Sequence, residues 1–139
     1  MRLEVTRKSD LAVRSLRALG AANTRVKGPA LAELVGTSAG FVAQALTPLV
    51  RAGWVHSEPG PTGGYSLAAD LDDVSVLAVI EAVEGPTDGG QCVLADRPCD
   101  ETGACALHVP WQAARSELLQ QLDSVSVSHA GTVEHTGRP

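Results

Sequence analysis

The chain has 139 residues, of which 44% are hydrophobic, and a formal net charge of −5. This length suits one domain with a single core and an added oligomerisation element. No stretch approaches the roughly 18 consecutive apolar residues of a membrane span, and the start MRLEVTRKSD lacks the apolar core of a signal peptide. These features argue against a membrane protein, and we expect a cytoplasmic one.

The charges are distributed unevenly along the chain. Residues 1–67 hold eight basic and four acidic residues, a balance of +4, whereas residues 68–139 hold three basic and twelve acidic residues, a balance of −9. Such asymmetry is typical of a chain with one nucleic-acid-binding half. Solvated surface charge on both halves is the alternative, and the charge pattern alone does not separate the two.

The first predicted element is an amphipathic helix over residues 10–22, with Ser9 as its N-cap. Asp10 in its first turn suits the helix dipole, which is the simplest explanation for an acid at that position. The apolar face consists of Ala12, Leu16 and Leu19, flanked by Leu11, Ala18 and Ala22.

Two further helices are predicted on either side of a tight turn at residues 36–38. In the first, residues 29–35, we expect Leu31, Leu34 and Val35 to point inward. The second begins after a cap at Thr37 or Ser38 and ends at Gly53. The pair predicts a helix-turn-helix whose second helix recognises DNA. Pro48 predicts a kink or a division of that helix into two pieces, because proline removes a backbone hydrogen bond. The core positions of the second helix are Val42, Ala45, Leu46, Leu49 and Val50.

The start of the recognition helix carries the residues that face outward. Gln44 could hydrogen-bond adenine through its amide, and Ala39 or Phe41 could contact a thymine methyl group. For Phe41, packing in the core is the favoured alternative. The outward-facing residues are Ser38, Ala39, Gly40, Phe41, Ala43 and Gln44.

Residues 54–58 and 65–68 predict two short strands joined by the loop PGPTGG, which complete a winged helix. Gly63 and Gly64 would permit positive φ and a close approach of the backbone to a phosphate. The wing contains no Lys or Arg, so we expect phosphate contacts mainly from other basic residues. The complete predicted DNA-binding set is Arg2, Lys8, Ser38, Ala39, Gly40, Phe41, Gln44, Arg51, Thr62, Gly63, Gly64 and Tyr65.

Residues 73–84 place apolar side chains at helical spacing and predict a helix that packs on the winged helix. A strand is the lesser interpretation of this valine-rich run. Gly85 and Pro86 end it. We therefore assign residues 1–84 to a winged-helix DNA-binding domain and residues 85–108 to a cysteine-rich loop.

That loop contains Cys92, Cys99, Cys105 and His108. The cysteines are separated by six and five residues, which differs from the CxxC knuckle of structural zinc. Three thiols leave one over from any intramolecular disulfide, so the loop predicts either a metal or cluster site or a disulfide with a free thiol. In a reducing compartment, clustered thiols more often bind metals or sense redox state than form structural disulfides.

An apolar stripe predicts a last helix that starts near Pro110. We interpret this helix, residues 109–123, as a dimerisation helix, because the first 84 residues already contain a core. A helix folded back on the same domain is the alternative. Residues 124–139 are expected to form a flexible tail in which His129 and His135 are exposed. The stripe consists of Leu107, Trp111, Ala114, Leu118 and Leu122.

As a set, these motifs resemble the IscR/NsrR-type family of bacterial winged-helix regulators, many of which carry iron-sulfur clusters. The resemblance covers about residues 1–125. It rests on the start MRL, the runs SDLAVRSL, GPTGGYSL and VSVLAVIEAVEG, and three cysteines ahead of a long helix.

The resemblance implies a homodimer that binds a palindromic operator in double-stranded DNA and holds a two-iron or four-iron cluster on its three cysteines. In the NsrR-like branch an acid from the first helix of the other subunit completes the site, and Asp10 matches that position. In the IscR-like branch a histidine three residues after the last cysteine does so, and His108 matches it. Both residues are present here.

We therefore expect a mainly α protein: a winged helix-turn-helix with a two-stranded wing and a long C-terminal dimerisation helix. The expected function is a homodimeric DNA-binding repressor whose iron-sulfur cluster senses nitric oxide, redox state or cluster supply. The alternatives are a zinc-binding or thiol-redox protein without its own operator, and a cluster-free regulator that senses by cysteine oxidation. An enzyme is not expected, because the sequence offers no paired carboxylates, activated nucleophile or phosphate-cradling loop outside these features.

Overall fold

The computed structural model describes residues 3–87, 92–94 and 105–131. Two 3-10 turns, Leu71–Asp73 and Val127–His129, precede the fourth helix and follow the fifth. The predicted mainly α architecture with a two-stranded wing is confirmed. In chain order the main elements are α1 (Arg7–Ala22), α2 (Gly28–Val35), α3 (Ala39–Arg51), β1 (Val55–Glu58), β2 (Gly64–Leu67), α4 (Val76–Glu84) and α5 (His108–Ser124).

Helix α1 lies at the centre of the core and packs against α2, α3 and α4. Its Leu16 and Leu19 are fully buried, as are Leu46 of α3 and Val79 of α4. Each buried leucine contributes roughly 1.5–3 kcal/mol to the free energy of folding. Most of the buried core thus comes from the first 84 residues, and Val127 joins it from beyond them.

The start of α1 differs from the prediction. Its N-cap is Thr6, whose side chain accepts a hydrogen bond from the Ser9 backbone N–H at 3.2 Å. Ser9, predicted as the cap, lies inside the helix, is fully buried, and donates its hydroxyl to the Glu84 carboxylate of α4. The cap prediction was wrong because the Ser9 hydroxyl joins two helices instead of satisfying the helix end.

Helices α2 and α3 form the predicted helix-turn-helix, with their axes bent by 99° relative to each other. Gly36 adopts φ +76°, and Ser38 caps α3 by accepting the Phe41 N–H at 3.2 Å. Leu34 was predicted to point inward but is 64% exposed, because the buried face of α2 is centred on Leu31, Ala32 and Val35 instead.

Of the two alternatives predicted at Pro48, a kink or a division of α3, the division is wrong, since one helix continues from Ala39 to Arg51. Proline removes a single intrahelical bond. After the proline, helical bonding continues, since the carbonyl of Pro48 accepts the Ala52 N–H at 3.0 Å.

In the part of the chain that the structure describes, no single helix is long and apolar enough to cross a membrane. Helices α2 and α3 have that length and apolar character only when they are taken together, as a pair bent by 99°.

The wing is an antiparallel hairpin of β1 and β2, in register from Val55 opposite Leu67 to Glu58 opposite Gly64. The extended residue Val26, between α1 and α2, adds a third stretch of backbone to the hairpin. Its N–H and carbonyl both bond Tyr65 of β2, each at 2.8 Å. The wing is thus attached to the entrance of α2.

Helix α5 packs against α4, and none of its side chains is buried in the single chain. Trp111 and Leu122 of the predicted stripe are half-buried, whereas Leu118 is 45% exposed. An apolar stripe that one chain leaves uncovered is typical of a helix that packs against a partner. Among described residues, α5 begins at His108, close to the start predicted near Pro110.

The segment after α5 differs from the expected flexible tail. Val127 is fully buried, and its N–H donates to the Val74 carbonyl at 2.8 Å. Arg17 of α1 donates to the carbonyls of Val127 and Ser128, at 3.0 and 2.7 Å. These contacts dock residues 125–131 on the winged helix. His129 is exposed as predicted, and His135 lies outside the described residues.

We expect Val127→Ala to lower the free energy of unfolding by about 2 kcal/mol, because it removes two methyl groups from a fully buried site. Urea unfolding at a fixed protein concentration measures this change. The matched control is Val5→Ala, since Val5 is 45% exposed, and its effect should stay within about 0.5 kcal/mol. Equal effects of the two substitutions would contradict the docking of this segment.

Candidate DNA-binding surface and cysteine pair

The start of α3 presents a small, exposed surface. Ser38, Ala39, Gly40, Ala43 and Gln44 are all exposed. Small side chains let a helix approach base edges closely, and the Gln44 amide offers both a donor and an acceptor to a base. The geometry therefore suits insertion of this end of α3 into a major groove.

Phe41 is less exposed than these neighbouring residues of α3. It is half-buried and packs against the hydrophobic core, which was the favoured prediction for this residue. The Arg7 guanidinium carbon lies 5.6 Å from the centre of its ring, within the range of a cation–π contact. Phe41 thus orients a basic side chain at the start of α1.

Two predicted phosphate-binding residues lie beside the recognition helix. Lys8 of α1 and Arg51 of α3 line one open hollow of about 370 Å³, together with Gln44 and Thr47. This places positive charge next to a side chain predicted to read bases. Arg2, the third predicted cation, lies outside the described residues.

The two wing glycines are explained by packing within the protein. A Cβ on Gly63 would lie 2.0 Å from the Glu58 carbonyl oxygen, and the Gly63 N–H donates to Gly60 at 3.0 Å. Gly64 has φ +145°, and a Cβ there would lie 2.6 Å from the Val26 oxygen. Both glycines therefore shape the wing from inside. The predicted positive φ is confirmed at Gly64 but not at Gly63, and the approach to a phosphate stays a prediction.

The remaining wing residues of the predicted set divide by exposure. Thr62 is exposed at the tip, and its carbonyl accepts a hydrogen bond from Arg25 at 3.0 Å. Tyr65 is half-buried, and its backbone is paired with Val26. Of these two side chains, that of Thr62 is the more exposed.

Arg25 is a basic residue of the wing surface that sequence reasoning missed. It precedes the wing by thirty residues in the chain, yet its Nη2 lies 2.7 Å from Glu58 Oε2. The available signal was the run TRVK, in which one valine between two basic residues indicates a short extended segment with one buried side chain.

The structure places two of the three cysteines together. The Sγ atoms of Cys92 and Cys105 are 3.7 Å apart, and both residues are half-buried. Two thiolates on one tetrahedral ion, each about 2.3 Å from the metal, stand about 3.8 Å apart. The pair therefore fits two ligands of a common metal centre. Cys99 lies outside the described residues.

The two alternative fourth ligands occupy different helices. His108 opens α5, and its N–H donates to the Cys105 carbonyl at 3.0 Å. Asp10 is exposed in the first turn of α1, 3.7 Å from Arg14. Within residues 3–87, 92–94 and 105–131, no three His, Cys, Asp or Glu side chains gather as a metal site.

Comparison with known proteins gives a consistent result. The Rrf2 family model, described as an iron-dependent transcriptional regulator, matches residues 5–130. A candidate HTH-type transcriptional regulator of Neisseria meningitidis serogroup A, NMA1593, is 31% identical over 127 residues, which cover 90% of this chain and 85% of that protein. The HTH-type transcriptional regulator IscR of Aliivibrio salmonicida is 32% identical over 97 residues, which cover 70% of this chain and 57% of IscR.

The fold is also similar to solved structures. CymR, described as the global cysteine regulator of B. subtilis, superimposes with a TM-score of 0.72 at 23% identity, covering 92% of this chain and 95% of CymR. At that identity the similarity concerns the fold alone. It agrees with the winged-helix architecture of α1–α4 and the β1–β2 hairpin.

Proposed function

The chain belongs to the Rrf2 family of transcriptional regulators, and on that premise we propose that it is a homodimeric DNA-binding repressor with an iron-sulfur cluster. The cluster would sense nitric oxide, redox state or cluster supply, and the protein would act in the cytoplasm. The observation that carries this proposal is the 3.7 Å separation of the Cys92 and Cys105 sulfurs.

DNA binding is supported by the exposed start of α3 and by the positive charge beside it. Ala43 and Gln44 would face base edges, while Lys8 and Arg51, which line one hollow beside them, would contact phosphates at the edge of the groove. Sequence readout and backbone affinity thus come from neighbouring parts of one surface.

The homodimer is proposed from the apolar surface of α5. Leu107 is 39% exposed, Leu118 is 45% exposed and Val109 is 74% exposed. A second copy of α5 would cover these side chains by antiparallel or crossed packing. A dimer would present two recognition helices to the two halves of a palindromic operator.

The cluster would be held by Cys92, Cys99 and Cys105, with His108 or Asp10 as the fourth ligand. When bound, it supplies an iron centre that reacts with nitric oxide and oxidants. An oxygen or nitrogen ligand beside three thiolates is replaced or protonated more readily than a fourth thiolate. Arg115 of α5 donates to the Thr87 carbonyl, which ties this helix to the chain leading into the cysteines.

An anaerobic visible absorption spectrum with iron and sulfide analysis tests the proposal. Wild-type protein should be brown and contain iron and sulfide, whereas Cys105→Ala should lose both and change its operator affinity, because a thiolate ligand is missing. Leu94→Ala is the control, since Leu94 is 67% exposed and lies in the same loop. Asp10→Ala and His108→Ala, compared side by side, would identify the fourth ligand.

A colourless wild-type protein that binds no iron after anaerobic reconstitution would contradict the cluster. Zinc in such a protein would indicate the structural zinc alternative. Cys105→Ala protein with wild-type iron content would exclude Cys105 as a ligand.

A second candidate is a cluster-free regulator that senses through its thiols. It is favoured by the same sulfur pair, since closing 3.7 Å to the roughly 2.0 Å of a disulfide needs a small movement. The similar fold of CymR, a cysteine regulator by its description, agrees with this candidate. In that case two thiols would lose two protons and two electrons to a peroxide. Iron-free protein should then lose two titratable thiols on oxidation and change its DNA affinity.

A further inference from the structure

The wing carries one charged side chain of its own, and it is acidic. Residues 55–67 contain Glu58 and no Lys or Arg, a formal charge of −1 with histidine neutral. A carboxylate that is 44% exposed on a DNA-facing hairpin would repel phosphates. The wing as read from its own sequence is therefore poorly suited to contact DNA.

The fold brings two basic residues to this hairpin from the segment between α1 and α2. Arg25 places Nη2 2.7 Å from Glu58 Oε2 and donates from Nη1 to the Thr62 carbonyl at 3.0 Å. Lys27 lines an open hollow of about 410 Å³ with Glu58 and other wing residues. Adding these two positive charges to the −1 of the wing changes the local balance to +1.

The position of Arg25 is set by the backbone. Val26, its neighbour, is held to Tyr65 by two hydrogen bonds of 2.8 Å, and only 9% of Val26 is exposed. A Cβ on Gly64 would lie 3.1 Å from Arg25 Cγ, so the absent side chain at Gly64 leaves room for the arginine stem. The guanidinium is thereby presented at the wing tip by a constrained segment.

The guanidinium retains capacity for a further partner. Arg25 is 44% exposed, and a guanidinium carries five N–H donors, of which the two described contacts occupy a part. Arginine contacts phosphate oxygens through such a planar set of donors. The exposed side of Arg25 thus has the chemistry of a phosphate contact.

We infer that Arg25 is the DNA-affinity residue of the wing: it neutralises Glu58 and contacts a backbone phosphate of the bound duplex. The inference rests on the proposed DNA-binding function. A purely structural ion pair is the competing explanation, and it makes an opposite prediction for one substitution. If Arg25 served only to brace the wing, loss of either partner would weaken binding. If Arg25 instead supplies positive charge to the DNA-binding surface, removal of the Glu58 carboxylate should strengthen DNA binding.

Fluorescence anisotropy with a labelled mixed-sequence duplex of about 30 base pairs, titrated between about 50 and 200 mM salt, separates these cases. Arg25→Gln should weaken binding about 10-fold and reduce the magnitude of the salt slope by about 0.9, the value of one phosphate contact. Glu58→Gln should tighten binding about 3-fold. Arg25→Lys should retain most of the slope, because it keeps the charge.

Gln120→Glu on α5 is the matched control, since it changes the net charge by the same one unit at an exposed position away from the wing and should leave the slope unchanged. Circular dichroism melting confirms that each variant is folded. Two outcomes would overturn the role of Arg25 while leaving the proposed function intact, provided that the wild-type protein binds DNA. In the first, Arg25→Gln and Glu58→Gln both weaken DNA binding. In the second, Arg25→Gln leaves the salt slope unchanged. A folded wild-type protein that binds no duplex at low salt would overturn the proposed function as well.

Discussion

Replacing Ala43 with glutamate should weaken binding to the operator about 100-fold or more, equivalent to about 2.7 kcal/mol. Ala43 is exposed near the start of α3, on the surface that we propose enters the major groove. A carboxylate there would stand among phosphates and base acceptors, and such like-charge placement costs several kcal/mol. An electrophoretic mobility shift or anisotropy titration at constant salt measures the loss.

The control for this substitution is Ala21→Glu. Ala21 is also exposed, and it lies near the end of α1, so the net charge changes equally in both variants. Ala21→Glu should reduce DNA affinity no more than a few-fold, by general repulsion. If both variants lost affinity equally, net charge would explain the effect and α3 would not be the recognition helix.

Replacing Gly63 with alanine should disrupt the wing. The added Cβ would lie 2.0 Å from the Glu58 oxygen and 2.7 Å from the Pro59 oxygen, so the hairpin backbone must move. We expect a loss of about 2–3 kcal/mol in the free energy of unfolding, because these neighbours are backbone atoms that cannot rotate away. Thermal unfolding and DNA titration should both show the change, since the wing is part of the proposed DNA surface.

Gly40→Ala provides the matched control. Gly40 lies in α3, and an added Cβ there meets no atom within 4 Å. Alanine should therefore leave the free energy of unfolding unchanged or raise it by up to about 1 kcal/mol. If Gly63→Ala protein melted like Gly40→Ala protein, the close backbone contact at Gly63 would be wrong.

The structure suggests how the cysteine loop could influence the DNA-binding helices under the proposed function. Helix α5 is tied to the Thr87 carbonyl by Arg115, near the middle of the helix, and the segment after its C-terminal end is docked on α1 by Arg17 and Val127. A change at the cysteines would be transmitted along α5 to both attachments. Rigid elements that are attached at defined points are suited to such transmission.

Local patterns in the sequence predicted most of the fold. Apolar spacing located α1, α3, α4 and α5, and the glycines at positions 36, 53 and 85 marked helix ends, because only local backbone geometry is involved. Two of the errors arose where packing between helices decided the role of a side chain. Ser9 was predicted as a cap from its local position, because the local sequence does not show its hydrogen bond to Glu84, 75 positions away. Leu34 was assigned to the core because periodicity alone does not give the exact rotation of a short helix.

The candidate functional site, like the fold, was predicted in part from the sequence and in part shown only by the tertiary structure. Residue type and spacing alone indicated the outward start of α3, the absence of Lys and Arg in residues 55–67 and the three cysteines as the proposed ligands. Only the tertiary structure showed that Arg25 reaches the wing, that the sulfurs of Cys92 and Cys105 lie 3.7 Å apart, and that Val127 returns to the core. Each of these contacts joins residues far apart in the chain, and a distance of that kind depends on how whole elements pack together.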